Sequence, residues 1–207
     1  MDKPEVLSTQ QDTTNGEDMN KPLLTMRGGH MMQGLHDLIA YTGIKDSTVV
    51  EIGTFAGEST QVFAQYAALV YTIDPWVEYE EGTYYGLDVA AARSVFFATV
   101  MADDHDNKIK SLQITSEQAV QLFNPYSVPH LYVDGWHKYA MEDVDRWWDT
   151  IAMDGWMTGH DYNEERFPHI PLGLSERFGM PDAIFQDESW AVQKTAERDH
   201  QWRDRRR

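Results

Sequence analysis

The chain has 207 residues and no cysteine, and 34 acidic residues against 17 lysines and arginines give it a formal net charge of −17. The lack of cysteine excludes disulfide frameworks, thiolate zinc sites and cysteine nucleophiles, so any nucleophile or metal ligand must be an oxygen or a nitrogen. The strong negative charge repels a phosphate backbone, which argues against nucleic acid as a partner.

The length suits one domain with a sizeable hydrophobic core. Residues 1–22 are polar and lack periodicity, which predicts a disordered N-terminal arm. The ending "RDHQWRDRRR" (198–207) predicts a charged, solvated tail, with an acidic partner as the alternative. The folded domain is therefore expected over residues 23–197.

No stretch of the chain is apolar for long enough to cross a membrane, and the N-terminal residues lack the apolar core of a signal peptide. We therefore expect a soluble, cytoplasmic protein that does not bind membranes.

Apolar residues at helical spacing, from Met31 to Ile39, predict a first helix that stops at Gly43. Seven apolar and β-branched segments then follow, most of them alternating with helical patterns. In chain order, the predicted strands cover residues 48–53, 69–74, 110–115, 130–135, 155–162, 182–188 and 189–195, and the later helices begin at Gly57 or cover 88–102, 116–123 and 139–152.

This alternation of strands and helices is typical of βαβ units, so it predicts a mostly parallel sheet with helices on both faces. The last two strands lie only a few residues apart, which favours an antiparallel hairpin at the edge of the sheet. The predicted fold class is α/β with seven strands.

Acidic residues end four of the predicted strands: Glu51, Asp74, Asp134 and Asp161. Ligands of open α/β sheets bind outside the carboxyl ends of the strands, at the point where the strand order reverses. Four acids on one rim favour a ligand rich in hydroxyl and ammonium groups, although each could also be a solvated turn or a helix cap.

The segment "EIGTFAGEST" (51–60) contains G-x-x-x-G and lacks the G-x-G-x-x-G pattern of dinucleotide-binding proteins. Glu51 would also repel a diphosphate. A cofactor with an amino-acid end and one nucleoside fits better, with Glu51 near its cationic end and Asp74 paired with ribose hydroxyls.

Five segments then establish a resemblance: "VVEIGTFAGEST", "VYTIDPW", "LYVDGWH", "GWMTGHDY" and "SWAVQKT". Their ordered set resembles the class I S-adenosylmethionine-dependent methyltransferases over about residues 30–195. The small-molecule O-methyltransferase branch, which includes macrolide-sugar and catechol enzymes, is the most similar. The resemblance implies a Rossmann-like fold and S-adenosylmethionine as the cofactor.

By the same resemblance, the cofactor-binding residues are expected on the loops after the strands. They are Glu51, Gly53, Thr54, Phe55, Gly57, Ser59 and Thr60 at the methionine end, Asp74 at the ribose, Ser116 at the adenine, and Asp134.

The metal-dependent members of that branch hold magnesium with a carboxylate after the fourth strand and an acid pair after the fifth. Here the corresponding residues are Asp134, His160 and Asp161, with a histidine in place of the first acid of the pair. Two oxygens could still bind Mg²⁺, and the histidine would shift the preference toward Mn²⁺ or iron-like ions. Asn163 is a further possible oxygen ligand, one residue out of register.

His137 lies three residues after Asp134, where it could remove a proton from a substrate hydroxyl. His137 and Asp134 are therefore the candidate catalytic residues, although a histidine bonded to its own loop is an equally good explanation of His137. Several aromatic side chains could wall a substrate pocket or simply pack. They are Trp136, Trp76, Tyr79, Tyr84 and Tyr85.

The sequence thus predicts transfer of a methyl group from S-adenosylmethionine to a hydroxyl of a small molecule, such as a sugar, with or without a divalent metal. Two alternatives remain: a protein that binds S-adenosylmethionine or S-adenosylhomocysteine without turnover, and a metal-dependent oxidase or hydroxylase on the same fold. The expected partner is a small-molecule acceptor, and a homo-oligomer is compatible with the sequence.

Overall fold

The computed structural model describes residues 27, 29–77 and 88–206. The predicted N-terminal arm lies outside this range, as do Tyr79, Tyr84 and Tyr85. Of the helices in these segments, none has the length and apolarity that a membrane span requires.

Seven strands and seven α-helices alternate along the described chain. The strands are β1 (Thr48–Ile52), β2 (Leu69–Ile73), β3 (Ile109–Leu112), β4 (Val128–Val133), β5 (Ile151–Gly159), β6 (Ala183–Ile184) and β7 (Trp190–Gln193). The helices are α1 (Gly29–Thr42), α2 (Glu58–Tyr66), α3 (Val89–Val95), α4 (Ser116–Ala119), α5 (Ala140–Trp147), α6 (His169–Phe178) and α7 (Ala196–Arg205).

The strands form one sheet in the order β3-β2-β1-β4-β5-β7-β6. Strands β1 to β5 pair in parallel, and β7 pairs antiparallel with both β5 and β6. The prediction of a mostly parallel seven-stranded sheet with a C-terminal antiparallel pair is confirmed.

The two central strands β1 and β4 are buried on both faces, as their continuous apolar runs predict. A larger core lies on the face that carries Trp147, Trp148 and Trp190, and a second core is built around Leu35, Leu38 and Phe63 beneath α1 and α2. The carboxyl ends of the central strands are held between these two cores.

The structure extends the sequence prediction in the C-terminal third. The helix α6 has no counterpart among the predicted elements, and the segment predicted as a tail from residue 198 belongs to α7. Trp202 of α7 is 4% exposed because its ring packs against Trp148 and Phe178, so an apolar anchor outweighs the charged composition of this segment.

Three predicted helices are also shorter as α-helices than their patterns suggest. The helix predicted over residues 139–152 is α5 followed by a 3₁₀ turn over Trp148–Thr150, and β5 already begins at Ile151. The helix predicted over residues 88–102 is α3 followed by a π-helical turn over Phe96–Val100, and the one predicted over 116–123 is α4 followed by a 3₁₀ turn over Val120–Leu122.

Candidate active site

The strand order reverses between β1 and β4, and the candidate site lies at the carboxyl ends of these two strands and their neighbours. The register pairs Ile52 with both Ile73 and Val133, so the loops after β1, β2 and β4 leave the sheet side by side. His160 donates its backbone N–H to the carbonyl of Val133, which brings the end of β5 to the same rim. Such a switch point is where open α/β sheets bind ligands.

The glycines of the loop after β1 let that loop approach other parts of the protein. Gly53 has φ of +91°, and a Cβ there would lie 2.1 Å from the carbonyl oxygen of Asp134. Gly57 has φ of +87°, and its Cβ would lie 2.7 Å from the ring of Phe96. Only glycine accepts both the conformation and the contact, so the G-x-x-x-G spacing is explained by packing of the loop on the backbone directly after β4 and on the π-helical turn.

Asp74 fixes the same loop from the side of β2. Its Oδ2 accepts the backbone N–H groups of Thr54 at 3.0 Å and Phe55 at 2.9 Å, and its Oδ1 accepts that of Trp76 at 2.7 Å. Burial raises the pKa of Asp74, and these three backbone hydrogen bonds oppose the rise. The carboxylate therefore joins the two loops, and a bond to a ribose would use its remaining lone pairs.

Phe55 and Trp76 both have a left-handed backbone, with φ of 48° and 46°. Bulky residues rarely adopt this conformation, and such strain is concentrated at functional sites. The indole Nε1 of Trp76 donates to the carbonyl oxygen of Phe55 at 2.9 Å, and the Trp76 ring packs against Phe96 and Phe97. Trp76 thus packs beneath the loop and is only 9% exposed, which limits its contribution to a substrate wall.

Glu51 lies beneath the loop and has no exposed surface. Its carboxylate accepts hydrogen bonds from the hydroxyls of Ser59 at 2.5 Å, Thr60 at 2.5 Å and Thr72 at 2.7 Å. Burial raises the pKa of Glu51 to about 7 despite these three hydroxyl donors. A direct cofactor contact by Glu51, Ser59 or Thr60 would require this buried cluster to open, so the structure gives them a supporting position.

Ser116, predicted at the adenine, bridges two helices. Its hydroxyl donates to Asp143 at 2.6 Å and accepts the indole N–H of Trp147 at 2.7 Å. These bonds tie α4 to α5, so an adenine contact by Ser116 could use only its remaining lone pair.

The three predicted metal ligands do come together. Asp134, His160 and Asp161 each place one ligand atom so that all lie within 4.8 Å of one another. The Nδ1 of His160 lies 3.0 Å from Oδ1 of Asp161 and 3.7 Å from Oδ1 of Asp134. Both carboxylate side chains are 20% exposed, whereas the imidazole is 8% exposed. These three residues are called the acid–histidine cluster below.

Arg27 completes this cluster, and no sequence pattern pointed to it. Its Nη2 donates to Oδ2 of Asp134 at 2.5 Å and to the hydroxyl of Tyr132 at 2.6 Å, while Nη1 lies 3.4 Å from Asp187. The residue is only 7% exposed. Arg27 lies between the predicted arm and the first predicted helix, outside every predicted element and motif, so only the fold shows that it reaches the rim.

The acid–histidine cluster is already charge-compensated. Burial lowers the pKa of His160, but the charge of Asp134 and the hydrogen bond with Asp161 outweigh burial and hold that pKa above its ordinary value. His160 in its protonated form pairs with both carboxylates, and Arg27 supplies a second positive charge.

A divalent ion does not fit this arrangement as it stands. Asp134 Oδ2 is bonded to Arg27, and His160 Nδ1 is bonded to Asp161. An ion among these atoms would also be repelled by the guanidinium, since two unit charges 4 Å apart repel by about 4 kcal/mol at an effective dielectric constant of about 20.

His137 lies in a 3₁₀ turn over His137–Tyr139, directly before α5. Its ring packs on Phe167 with the centroids 4.4 Å apart, and its carbonyl oxygen accepts a hydrogen bond from His169 at 2.9 Å. Burial lowers the pKa of His137, whereas the charge of nearby Asp161 opposes this shift. The imidazole is therefore neutral at neutral pH and able to accept a proton.

Asn163 turns away from the cluster. Its side-chain carbonyl accepts the backbone N–H groups of Glu165 at 3.0 Å and Arg166 at 2.7 Å, and its amide donates to Glu188 at 2.7 Å. These bonds build the turn after β5, so the suggested role of Asn163 as a metal ligand has no geometric support.

Comparison with known proteins agrees with this geometry. A family model described as a methyltransferase domain matches residues 50–162, which is more than half of the chain. No curated protein matches the sequence significantly.

Solved structures share the fold at low sequence identity. A Methanococcus maripaludis protein assigned as an S-adenosyl-L-methionine-dependent methyltransferase has a TM-score of 0.58 and 9% identity, over 80% of this chain and 84% of that one. An O-methyltransferase from Thermotoga maritima has a TM-score of 0.57 and 10% identity, over 79% of this chain and 65% of that one.

A precorrin 8W decarboxylase from Methanobacterium thermoautotrophicum has a TM-score of 0.57 and 13% identity, over 80% of this chain and 90% of that one. Identities this low establish the fold and leave the substrate open. The family match and the strand order together show that the chain belongs to the methyltransferase-domain family and has the class I S-adenosylmethionine-dependent methyltransferase fold.

Proposed function

We propose that the protein transfers the methyl group of S-adenosylmethionine to a hydroxyl of a small molecule, with sugars as the first class to test. The observation that carries this proposal is the position of Asp134. Its backbone packs against Gly53 of the candidate cofactor loop, and its side chain belongs to the acid–histidine cluster. One residue thus joins the candidate donor site to ionisable groups that could hold an acceptor, as a transfer between two bound molecules requires.

The loop after β1 is suited to the amino-acid end of this cofactor. The helix α2 follows this loop directly, and its N-cap residue is Gly57, which has no side chain that could cap the first turn. The unpaired N–H groups and the partial positive charge of a helix N-terminus favour a carboxylate there. The loop residues Gly53, Thr54 and Phe55 would line this end, and Asp74 would face the ribose.

S-adenosylmethionine, when bound, supplies an electrophilic methyl group on its sulfonium sulfur. Transfer would break the bond between that methyl carbon and sulfur as the acceptor oxygen bonds to the carbon, and the acceptor's hydroxyl proton would have to be removed. We assign that proton to His137, whose imidazole is neutral at neutral pH and lies near Asp161. Asp134, held by Arg27, would accept a hydrogen bond and orient the acceptor.

The oxidase alternative is weaker in this geometry. It needs two histidines and a carboxylate around an iron-like ion, but His137 packs on Phe167 and is not part of the acid–histidine cluster. The binding-protein alternative uses the same cofactor loop and differs only in the absence of turnover.

Methyl transfer from labelled S-adenosylmethionine to a panel of sugars, catechols and amines tests the proposal, with S-adenosylhomocysteine formation as the second readout. Transfer to a hydroxyl compound supports it, and His137→Ala should lower that transfer by about a hundredfold while S-adenosylhomocysteine still binds. Transfer to amines alone would contradict the hydroxyl specificity. Tighter binding of NAD than of S-adenosylhomocysteine would contradict the cofactor assignment.

A further inference from the structure

We infer that Arg27 is the built-in counter-cation of the acid–histidine cluster and that it keeps divalent metal ions out of that cluster. Its guanidinium is bonded to Asp134, which is one of the three candidate ligands of an ion. Arg27 is therefore a positioning residue, because it acts through Asp134. This inference concerns metal binding and holds whichever acceptor the protein methylates.

Arg27 is held on several sides, so its position is built into the fold. Its backbone N–H donates to the Glu58 carboxylate at 3.2 Å, which links it to the first turn of α2. Its guanidinium donates to the buried Tyr132 hydroxyl at 2.6 Å and also lies over the Tyr132 ring. A side chain anchored at its backbone and at both ends of its guanidinium loses little further freedom on holding Asp134.

Asp187 anchors the second nitrogen of the guanidinium and is itself fixed. It is 2% exposed and accepts the backbone N–H of Ser189 at 3.1 Å and its hydroxyl at 2.8 Å. A Cβ on Gly34 would lie 2.3 Å from Asp187, so the glycine in α1 makes room for this carboxylate. A buried carboxylate needs a cationic partner, and Arg27 is the partner that the structure supplies.

The guanidinium also differentiates the two oxygens of Asp134. Oδ2 is committed to Arg27 at 2.5 Å, whereas Oδ1 faces His160 Nδ1 at 3.7 Å. Only one oxygen is left for a ligand, and a cation bound to it would lie beside a fixed positive charge. The chemistry that Arg27 disfavours is thus binding of a hard divalent ion, for which two carboxylates and a histidine would otherwise be suitable donors.

Mn²⁺ is the probe of choice, since it accepts both carboxylate and imidazole ligands and is read directly by electron paramagnetic resonance. The wild-type protein is expected to bind no Mn²⁺ at submillimolar concentrations. Arg27→Met should bind it at least about tenfold more tightly than wild type. Arg27→Met/Asp134→Asn should lose the gain, which would place the new ion in the cluster.

Arg177→Met is the matched control, because Arg177 forms a two-point ion pair with Asp145 between α5 and α6. This control replaces an ion-paired arginine by methionine at a site remote in sequence from the cluster, and it should leave Mn²⁺ binding unchanged. Arg27→Lys retains the positive charge, so it should exclude Mn²⁺ as wild type does, even though a lysine cannot reach all three partners of Arg27 at once. A purely structural role of Arg27 would instead leave the lysine variant behaving like Arg27→Met.

Arg27→Gln retains N–H donors for Asp134 without the charge, and it serves if Arg27→Met does not fold. The inference is overturned if wild-type protein binds Mn²⁺ tightly and Asp134→Asn abolishes that binding. It is equally overturned if a folded Arg27→Met or Arg27→Gln variant, checked by its thermal transition, shows no gain in Mn²⁺ affinity. These outcomes are independent of methyl transfer, so they remain decisive even if the proposed activity fails.

Discussion

The two halves of the rim satisfy their carboxylates in different ways. On the side of β1 and β2, Glu51 is bonded to three hydroxyls and Asp74 to three backbone N–H groups, all of them neutral donors. On the side of β4 and β5, Asp134 and Asp161 are paired with Arg27 and His160. The carboxylates of the first half are held by hydrogen bonds from neutral donors, and those of the second half are held by ion pairs.

This difference separates two tasks within one site. Neutral donors around a buried carboxylate fix backbone geometry, which is what a loop that holds a cofactor needs. Burial raises the pKa of Asp134, and its charged partners Arg27 and His160 oppose that rise at a surface that a substrate can reach. We therefore expect changes in the first half to affect cofactor binding and changes in the second to affect metal affinity, acceptor binding and turnover.

The largest expected effect is on the charged half. Arg27→Met leaves Asp187 without its cation and Asp134 with only the more distant His160, and breaking a buried ion pair from one side costs about 3–5 kcal/mol of unfolding free energy. Arg177→Met, at a more exposed pair, should cost about 1 kcal/mol or less. Urea denaturation of the two variants measures their losses of unfolding free energy. Equal losses would contradict the special position of Arg27.

Asp74→Ala probes the neutral half. It leaves the backbone N–H groups of Thr54, Phe55 and Trp76 without their acceptor. Because an unsatisfied buried group costs about 1–3 kcal/mol, the variant should lose about 3 kcal/mol in urea denaturation and bind S-adenosylhomocysteine more weakly in calorimetry. Asp74→Asn retains one acceptor and should lose about half as much. Full stability and affinity in Asp74→Ala would refute this role.

The sequence predicts the sheet well because its signals are local. The buried strands appear in the sequence as apolar runs. An acid at the carboxyl end of a parallel strand lies at the rim of the sheet, independently of the loops and helices that follow. The rim positions of Asp74, Asp134 and Asp161 follow from this rule alone.

The partners of those acids could not be predicted, because they come from distant parts of the chain. Arg27 reaches Asp134 across 107 positions, and Asp187 reaches Arg27 across 160. Glu51 has the same strand-end signal as Asp74, yet one points into the core and the other into the loop. The direction of a side chain at the end of a strand depends on which helix hydroxyls lie beneath it, and the periodicity of the sequence does not contain that information.

His137→Ala should separate chemistry from binding within the charged half. Loss of a general base lowers turnover by about a hundredfold, or about 2.7 kcal/mol of activation free energy. S-adenosylhomocysteine affinity should stay unchanged, because His137 lies in the turn before α5, whereas the expected methionine-end contacts lie on the loop after β1. The acidic limb of the pH profile of kcat/KM should also disappear, since burial lowers the pKa of His137 and that limb would report its protonation. An unaltered pH profile would assign proton removal to another group.

The smallest expected effect, counted per pH unit, is a pH dependence that belongs to the neutral half. The pKa of Glu51 rises from 4.5 to about 7 on folding, so the folded protein binds more protons than the unfolded chain between these values. Stability should therefore fall as pH rises through that window, by at most about 1.4 kcal/mol per pH unit from this group. Glu51→Gln keeps the shape and cannot ionise, so it should remove that part of the slope while the contributions of Asp74 and the acid–histidine cluster remain. Urea denaturation of both proteins between pH 4.5 and 7 gives the two slopes, and identical slopes would show that Glu51 stays ionised among its three hydroxyl donors.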